Sequence, residues 1–372
     1  MDKEVEIRLN LLKRAATKLA YESLLNANIA INTLRTDYDI RANARPLSVP
    51  VPKVKKAHKI EKILLAVRKL DLRYGSIGLD YKYFYEPLCD IADVTVFDLS
   101  SFATVGRKKM NEQFLDAVKK QDPDLVFSCI CHEELFPGTI RDVSENSRTI
   151  TCNWFADDHW RLEYYGRFYA PCFNFCVTVD SNAVARYKAL GYENILMSQW
   201  AANTALYHRL EGMQQDMGVT FVGQDYANRS ELYDKLMKKK VDVQFFGDGW
   251  RNGRVSLERM IEIYNRSRIN LNFSGSALNI AKQVKARVFD IPACGGFLLT
   301  EHSPTLENYY EIGKEIESFK TIDEAVDKII YYLDNEDERK KIAERGYRRT
   351  MKDHLYQNRF KEIFKQILES SN

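Results

Sequence analysis

The feature that most constrains this chain is a repeated alternation of short apolar runs with amphipathic segments, which starts near residue 60 and continues past residue 300. The apolar runs are unbroken and lack the alternation of a strand with one solvated face. Strands of this kind are buried on both faces, as in a parallel sheet that is covered by helices. We therefore predict an α/β protein.

The apolar runs form two successive series of similar size. The first is KILLAVRKL, DVTVFDLS, DLVFSCIC, TITCNWF and NFCVTVDS, and the second is VTFVGQ, VDVQFFGDG, INLNFSGS and GGFLLTE. Two such series predict two doubly wound, Rossmann-like domains that face each other across a cleft. The predicted segments are a helical arm (1–45), a linker rich in Pro and Lys (46–59), an N-terminal domain (60–198), a C-terminal domain (199–350) and a C-terminal helix (351–372) that packs back on the N-terminal domain.

The positive charge of the chain is concentrated at its start. Residues 1–60 carry 12 Lys or Arg and 6 Asp or Glu, whereas the net charge of the whole chain is +3. This distribution argues against a body that binds nucleic acid. Two interpretations of residues 1–60 stay open: packing on the body or pairing with a second copy, and docking on anionic lipid headgroups or a partner protein. With no secretory signal and no apolar run of about 20 residues, we expect a cytoplasmic protein that is at most peripheral to a membrane.

The 7 cysteines lie mostly inside apolar runs, so we expect reduced, buried thiols. Cys129, Cys131 and His132, followed by Cys172 and Cys176, offer an alternative as zinc ligands. Their spacing lacks the paired C-x2-C of a zinc knuckle. We predict no metal and no cofactor.

Three segments of the second series predict a site for an anion. After the run VTFVGQ, Gly223 allows a ligand to approach the backbone, and Arg229 is placed to grip phosphate oxygens near a helix N-terminus. After VDVQFFGDG, the loop from Trp250 to Val255 is predicted to line a nucleobase slot, although a tight turn with a buried Trp is the simpler interpretation of that loop alone.

The third segment, KQVKARVFDIPACGGFLLTE, is the most specific in the sequence. If residues 282–291 form a helix, Gln283, Arg287 and Asp290 share one of its faces. A carboxylate there is suited to accept hydrogen bonds from the hydroxyls of a ribose, while Lys282, Lys285 or Arg287 neutralises phosphate.

This segment, together with FVGQDYANR upstream and HLYQNRF near the C-terminus, resembles the CgeB-like (spore-maturation type) glycosyltransferases of the "glycosyl transferases group 1" superfamily. The resemblance covers roughly residues 60–360. It implies a GT-B fold of two facing Rossmann-like domains, a nucleotide-sugar donor on the C-terminal domain and no obligatory metal.

Carried onto this chain, the resemblance places Asp290 at the donor ribose, Gly223 and Arg229 at the diphosphate, and the loop from Trp250 to Val255 beside the base. The superfamily's E-x7-E pattern would start at position 282, where this chain has Lys282. Because that acid helps hold the transferred sugar in relatives, the pattern predicts neither the sugar nor the stereochemical course.

The first domain is expected to hold the acceptor. NWFADDHW follows a strand, and Asp157 or Asp158 is predicted to deprotonate an acceptor hydroxyl or to stabilise positive charge on the sugar ring, with His159 assisting. The alternative is that one of these aspartates caps the following helix. Further candidates for contact with the acceptor or the cleft are Tyr74, Gly75, His132 and Glu133.

These features predict a metal-independent glycosyltransferase of the hexosyltransferase type. It would move a sugar from a nucleotide-diphosphate sugar to a hydroxyl of a glycan, a lipid-linked acceptor or a protein. The alternatives are a non-catalytic nucleotide-sugar-binding or scaffold protein, which Lys282 favours, and an epimerase or phosphorylase of similar fold.

Overall fold

The computed structural model describes residues 51–71, 75–130, 134–275 and 282–371. The described chain divides into two compact units. The first holds the residues up to Tyr85, 92–197 and 365–371, and the second holds 86–91 and 198–364. The unit boundary at Ser198 lies one residue from the predicted domain boundary. The predicted arm (1–45) and the first part of the linker lie outside the described residues.

The first unit is built on a six-stranded sheet with the order β4-β1-β5-β6-β7-β8, in which every neighbouring pair is parallel. A short antiparallel hairpin, β2 with β3, follows β1. The strands are β1 (Lys62–Val67), β2 (Leu70–Asp71), β3 (Ser76–Ile77), β4 (Asp93–Asp98), β5 (Leu125–Ser128), β6 (Ile150–Phe155), β7 (Phe175–Thr178) and β8 (Ile195–Met197).

Helices connect these strands, as parallel pairing requires. They are α1 (Leu79–Cys89), α2 (Phe102–Val105), α3 (Arg107–Gln121), α4 (Pro137–Asn146), α5 (Asp158–Arg161), α6 (Arg167–Tyr169) and α7 (Ser181–Ala189), with a π-helical turn at Leu162–Gly166 and 3₁₀ turns at Leu99–Ser101 and Ala170–Cys172. Helix α7 begins where the Asp180 carboxylate accepts a hydrogen bond from the N–H of Asn182 at 3.0 Å.

The second unit is built on a five-stranded parallel sheet with the order β10-β9-β11-β12-β13. Its strands are β9 (Met217–Val222), β10 (Val243–Phe246), β11 (Ser267–Asn272), β12 (Leu298–Glu301) and β13 (Glu317–Phe319). Its helices are α8 (Arg229–Lys238), α9 (Leu257–Arg266), α10 (Arg287–Ala293), α11 (Ile322–Asp334), α12 (Glu336–Asp353) and α13 (Tyr356–Ser370), with a 3₁₀ turn at Leu306–Asn308. The last residues of α13, from Lys365, group with the first unit.

Burial explains why the apolar runs form central strands. Every residue of β5, β6, β7, β9 and β12 is buried, so both faces of these strands are covered. Each unit has its own hydrophobic core, which includes Phe114 and Tyr187 in the first and Phe221 and Leu271 in the second. The predicted fold class, two Rossmann-like α/β domains, is confirmed.

The strand order fixes where each unit can bind a ligand. Numbered within its own unit, each sheet begins with the order 2-1-3-4-5. In sheets of this kind, connections leave the first and third strands in opposite directions, and a crevice opens beyond their carboxyl ends. This switch point lies between β1 and β5 in the first unit and between β9 and β11 in the second.

The described part of the linker, residues 51–59, contains neither helix nor strand but is anchored to the first unit. The Lys55 ammonium donates to the carbonyl oxygens of Thr149 at 2.7 Å and Val143 at 3.0 Å, and burial lowers the pKa of Lys55 to about 8. The Asn174 amide donates to the Lys53 carbonyl at 3.1 Å. This stretch therefore packs along the domain.

Candidate functional site

The switch point of the second unit carries the predicted anion site. The segment after β9 runs from Gly223 to Arg229, the first residue of α8. The segment after β11 begins with Phe273 and Ser274. The two strands are neighbours in the sheet, so parallel pairing brings their carboxyl ends together. The fold thus places Gly223 and Arg229 where an α/β sheet binds its ligands.

Arg229 is the centre of this site. Its side chain is 2% exposed, and its guanidinium carbon lies 3.6 Å from the ring centroid of Tyr226 and 5.3 Å from that of Phe273. Nη1 donates to the carbonyl of Gln224 at 2.5 Å, whereas Nη2 has no hydrogen-bond partner among the described residues. Burial lowers the pKa of Arg229 to about 10, so the side chain is still cationic at neutral pH. A buried cation with an unused donor is chemically suited to bind an anion, and the binding of phosphate by Arg229 stays a prediction.

Gly223 is positioned by close contacts between strand ends. Its N–H donates to the carbonyl of Phe246 at 2.8 Å, and its own carbonyl accepts from the Trp250 indole Nε1 at 2.9 Å. A Cβ at this position would lie 2.5 Å from the ring of Phe221, so a side chain here would displace that ring. The glycine holds the segment after β9 close to the sheet.

Trp250 has a packing role that fits the simpler of the two interpretations of its loop. Its ring meets that of Phe245 edge to face with centroids 4.9 Å apart, and it packs against the core of the second unit. Its indole N–H donates to the carbonyl of Gly223. Val255 lies partly buried in the irregular segment that precedes α9. Contact of this loop with a base stays a prediction.

The predicted helix over 282–291 is wrong at its start. Helix α10 begins at Arg287, and Lys282 forms an antiparallel bridge with Gly275 instead. The Gln283 N–H donates to the carbonyl of Ser274 at 3.0 Å, which holds the segment extended beside the end of β11. This pairing between distant residues overrides the local helical pattern. Gln283 therefore does not share a helix face with Arg287 and Asp290.

Arg287 and Asp290 do lie on one helix, three residues apart. Arg287 Nε donates to Asn272 Oδ1 at 3.0 Å, so this cation is tied to the end of β11. Its positive charge adds to the effect of burial, which lowers the pKa of Arg229, and opposes the effects of burial and of Asp290, which raise the pKa of Tyr264. Asp290 is 1% exposed. Its role at a ribose stays a prediction.

The sequence reasoning missed Glu301, which ends β12. This buried carboxylate accepts hydrogen bonds from the N–H groups of Ser274 at 3.0 Å and Gly275 at 3.1 Å, and pairs with the Lys282 ammonium at 3.1 Å. Burial alone would raise the pKa of Glu301, but the hydrogen bonds from Lys282 and the two backbone groups outweigh it and hold the pKa below its usual range. The feature of the sequence that could have pointed to Glu301 was its position as the last residue of the GGFLLTE run.

In the Asp157–His159 segment of the first unit, one side chain is buried and two are partly exposed. Asp158 is 1% exposed, and its carboxylate accepts a hydrogen bond from the Tyr187 hydroxyl at 2.8 Å. Burial raises the pKa of Asp158 to about 7. Asp157 occupies the cap position of α5 but makes no side-chain capping bond. Asp157 and His159 are both partly exposed.

The switch point of the first unit holds a charged group that the sequence reasoning also missed. Arg68, which follows β1, lies 3.6 Å from the buried carboxylate of Asp80 and 3.5 Å from that of Glu134. Burial raises the pKa of Asp80 to about 6. Of the acceptor candidates, Gly75 lies in the β2–β3 turn with φ +63°. The others, Tyr74, His132 and Glu133, lie outside the described residues.

The described cysteines are free thiols; Cys89 is exposed, contrary to expectation, and the other described cysteines are buried. Within residues 51–71, 75–130, 134–275 and 282–371, no cluster of three or more His, Cys, Asp or Glu residues is arranged to hold a metal ion. None of the helices in these ranges is long and apolar enough to cross a membrane.

Comparison with known proteins supports the resemblance to CgeB-like glycosyltransferases. The profile of a family described as "Glycosyl transferase-like" matches residues 229–365. Spore protein CgeB of Bacillus subtilis (strain 168) is 23% identical over 202 residues, which cover 47% of this chain and 62% of that protein. The matched part of this chain thus spans less than two thirds of the curated relative.

Solved structures share the fold. HepE of Anabaena, crystallised with UDP and glucose, aligns with a TM-score of 0.56 at 11% identity, covering 83% of this chain and 99% of that one. A glycosyltransferase from Rickettsia africae ESF-5 aligns with a TM-score of 0.56 at 13% identity, covering 84% of this chain and 100% of that one. At these identities the likeness establishes the architecture alone.

Proposed function

We propose that this chain is a glycosyltransferase that moves a sugar from a nucleoside-diphosphate sugar to a hydroxyl acceptor. The observation that carries the proposal is the buried guanidinium of Arg229 at the switch point of the second unit, one donor of which has no partner among the described residues. The match of the glycosyltransferase family profile to residues 229–365 supports it. So do the UDP and UDP-glucose complexes of HepE, which make a uridine diphosphate sugar the first donor to test.

In this proposal, the donor diphosphate is held by positive charge. Arg229 binds its oxygens directly, and Arg287 and Lys282 lie on the segments that flank the end of β11. As the bond between the anomeric carbon and the β-phosphate oxygen breaks, its electron pair stays on that oxygen. The fixed cations stabilise the developing negative charge. Because they supply this charge, we propose that the enzyme is metal-independent.

The acceptor step is assigned to the first unit. The acceptor oxygen attacks the anomeric carbon, and its proton passes to a base, for which Asp157 and His159 are the accessible candidates. Asp158 supports this segment through Tyr187. We also propose that the transferred group is a hexose, and that the basic residues 1–60 provide a peripheral membrane or homodimer contact.

A second candidate function is a protein that binds a nucleotide sugar without transferring it. Two observations favour it. The buried carboxylate of Asp158 already accepts a hydrogen bond from the Tyr187 hydroxyl, and the charge of Lys282 is neutralised by Glu301.

The test of the donor site is calorimetric titration with UDP, GDP, CDP and dTDP. We expect one of them, UDP first, to bind, and we expect Arg229→Gln to weaken its binding by about 10- to 100-fold, since a charge-assisted hydrogen bond is lost. Arg266→Ala is the matched control, because Arg266 forms an exposed ion pair with Asp216 at the end of α9 and should leave the affinity unchanged. Equal affinity of Arg229→Gln and wild type would remove Arg229 from the site.

Catalysis is tested separately by the release of UDP from UDP-sugars, with and without added glycan acceptors. We expect Asp157→Asn to slow release by about 100-fold without changing the affinity for UDP, since loss of a general base affects the chemical step. A wild-type protein that binds UDP-sugars and never turns them over supports the binding-protein alternative instead.

A further inference from the structure

A second charged pocket lies at the amino ends of the strands in the sheet of the second unit. It is open to solvent, and its volume is about 220 Å³. Its walls come from segments that precede β9 and β12 and from α12, so it lies at the amino ends of these strands, whereas the Arg229 site lies at the carboxyl ends. The residues that matter to its chemistry are Arg209, Gln215, Gly295, Arg339, Lys340 and Glu344.

Arg339 is the buried member of this pocket, with 1% of its surface exposed. Its Nη1 donates to the carbonyl of Tyr332 at 2.6 Å, and its Nε has no hydrogen-bond partner among the described residues. Burial lowers the pKa of Arg339; the negative charge of Glu336 opposes this effect, and the positive charge of Arg268 adds to it. Burying a cation with an unused hydrogen-bond donor costs free energy unless an acceptor bonds to that donor.

The other side chains add positive charge and donors. Arg209 stacks on Tyr347, with its guanidinium carbon 3.5 Å from the ring centroid, and pairs with Glu344 at 2.5 Å. Lys340 lies beside Arg339 on α12, is largely exposed and pairs with Glu336 at 2.5 Å. The Gln215 side-chain oxygen, a hydrogen-bond acceptor, is buried and has no partner among the described residues, so it suits the hydroxyl of a protonated phosphate and not a charged oxygen. Arg209, Arg339 and Lys340 thus exceed the two carboxylates, Glu336 and Glu344, by one positive charge.

Gly295 makes this arrangement possible. Its φ is +71°, and a Cβ there would lie 2.4 Å from Arg209 Nε. The glycine after α10 therefore permits the arginine to lie directly over the backbone.

We propose that this pocket binds a phosphate-class oxyanion, either free inorganic phosphate or the phosphoryl group of a small phosphomonoester. Its volume equals that of about seven water molecules. That is enough for a phosphate and part of its hydration shell, but it is below the roughly 300 Å³ typical of pockets for larger organic ligands. Because the pocket lies at the amino ends of the strands, it is separate from the Arg229 site at their carboxyl ends. The proposal therefore does not depend on the proposed enzymatic activity.

The test is isothermal titration of the full chain with inorganic phosphate and, in a second arm, with glycerol 3-phosphate, at constant ionic strength. We expect Lys340→Ala and Arg339→Gln to raise the Kd for the bound ligand by about tenfold or more, since each removes a cation that contacts it. The arm with the lower wild-type Kd identifies the source. Lys238→Ala, which removes an exposed cation at the end of α8, is the matched control for Lys340→Ala and should leave this Kd unchanged.

If Arg339→Gln does not fold, Arg209→Gln replaces it, because the Arg209 side chain is exposed and its substitution also removes a cation from the pocket. The wild-type thermal midpoint should also rise by roughly 3 to 5 °C at a phosphate concentration about ten times the Kd. The proposal is overturned if neither phosphate compound binds the wild type, or if Arg229→Gln abolishes binding while Lys340→Ala leaves it intact.

Discussion

At the scale of single residues, the two units contain buried ionisable groups in different states. Arg229 keeps its charge and has one donor without a partner among the described residues, whereas burial of Asp158 opposes its charge. In the proposed function, an anionic ligand accepts a hydrogen bond from that donor of Arg229. The Asp158 carboxylate accepts its hydrogen bond within the protein, from the Tyr187 hydroxyl, so Asp158 contributes to stability in a way that depends on pH.

The pH dependence of stability should report the burial of Asp158. Its pKa in the folded protein is about 7, above the ordinary 3.8, so protonation favours the folded state. The stabilisation is complete below pH 3.8 and is lost as pH rises through 7. Between pH 5.5 and 8, the wild type should lose about 2 kcal/mol relative to Asp158→Asn, which cannot titrate.

The measurement is urea unfolding of both proteins at the two pH values. Asp180→Asn serves as a control for a neighbouring carboxylate that caps α7 and is partly exposed. A constant difference between wild type and Asp158→Asn across this range would show that Asp158 does not titrate within it.

At the scale of elements, the loops that follow β9 and β10 depend on each other. The Gly223 N–H bonds to the last residue of β10, and Gly247 lies so close that a Cβ on it would be 2.2 Å from the Gly223 carbonyl oxygen. Gly247 also has a φ of +130°. The position of the segment that leads to Arg229 is thus set by backbone contact between two loops.

Two glycines of the β10 loop allow this contact to be tested. Gly253 has a φ of +63°, and a Cβ added to it would have no atom within 4 Å, whereas a Cβ on Gly247 would meet the Gly223 backbone. Gly253→Ala should therefore cost about 1 kcal/mol of backbone strain. Gly247→Ala should cost about 3 kcal/mol or more, because backbone must also move. Chemical denaturation measures both, and equal losses would contradict the close approach.

Helix α10 illustrates a second point at this scale. The i, i+4, i+7 pattern of KQVKARVFD predicts a helix from residue 282, yet the first turn is replaced by an extended segment. The Lys282 ammonium pairs with Glu301, and the Gln283 N–H pairs with Ser274. Both partners come from other strands or the segments that follow them, which is why local periodicity fails here.

At the scale of the whole molecule, each unit has its own sheet, its own core and its own switch point. The charge is distributed unevenly as well. Residues 1–60 carry an excess of 6 positive charges, whereas the net charge of the chain is +3. The body is therefore slightly acidic, and any attraction to an anionic surface must come from the start of the chain.

This charge distribution predicts salt-sensitive binding of the full chain to vesicles of phosphatidylserine and phosphatidylcholine. Neutralising Arg35, Arg41 and Arg45 to Gln should weaken binding by about 100-fold, since each basic residue near such a surface contributes about 1 kcal/mol. Cosedimentation at low and high salt measures it. The matched control neutralises Lys238, Lys239 and Lys240, which are exposed at the end of α8.

If the arm pairs with a second copy instead, vesicle binding will be absent and the arginine variant will change the oligomeric state. Light scattering during gel filtration distinguishes this outcome.

The sequence by itself determined the parts of this protein that depend on composition and local order. Unbroken apolar runs specify strands buried on both faces, and their alternation with helices specifies parallel sheets. The place of Gly223 and Arg229 just after β9 follows from the same pattern, since a residue after a parallel strand lies at the sheet's carboxyl edge.

Only the tertiary structure decided which polar side chains are joined. The pairing of Lys282 with Glu301, of Asp158 with Tyr187 and of Trp250 with Gly223 each connects residues from different elements. The pocket around Arg339 arises in the same way. Sequence periodicity reports which face of an element is apolar, but a hydrogen bond between elements depends on how the strands are ordered and how closely the loops approach.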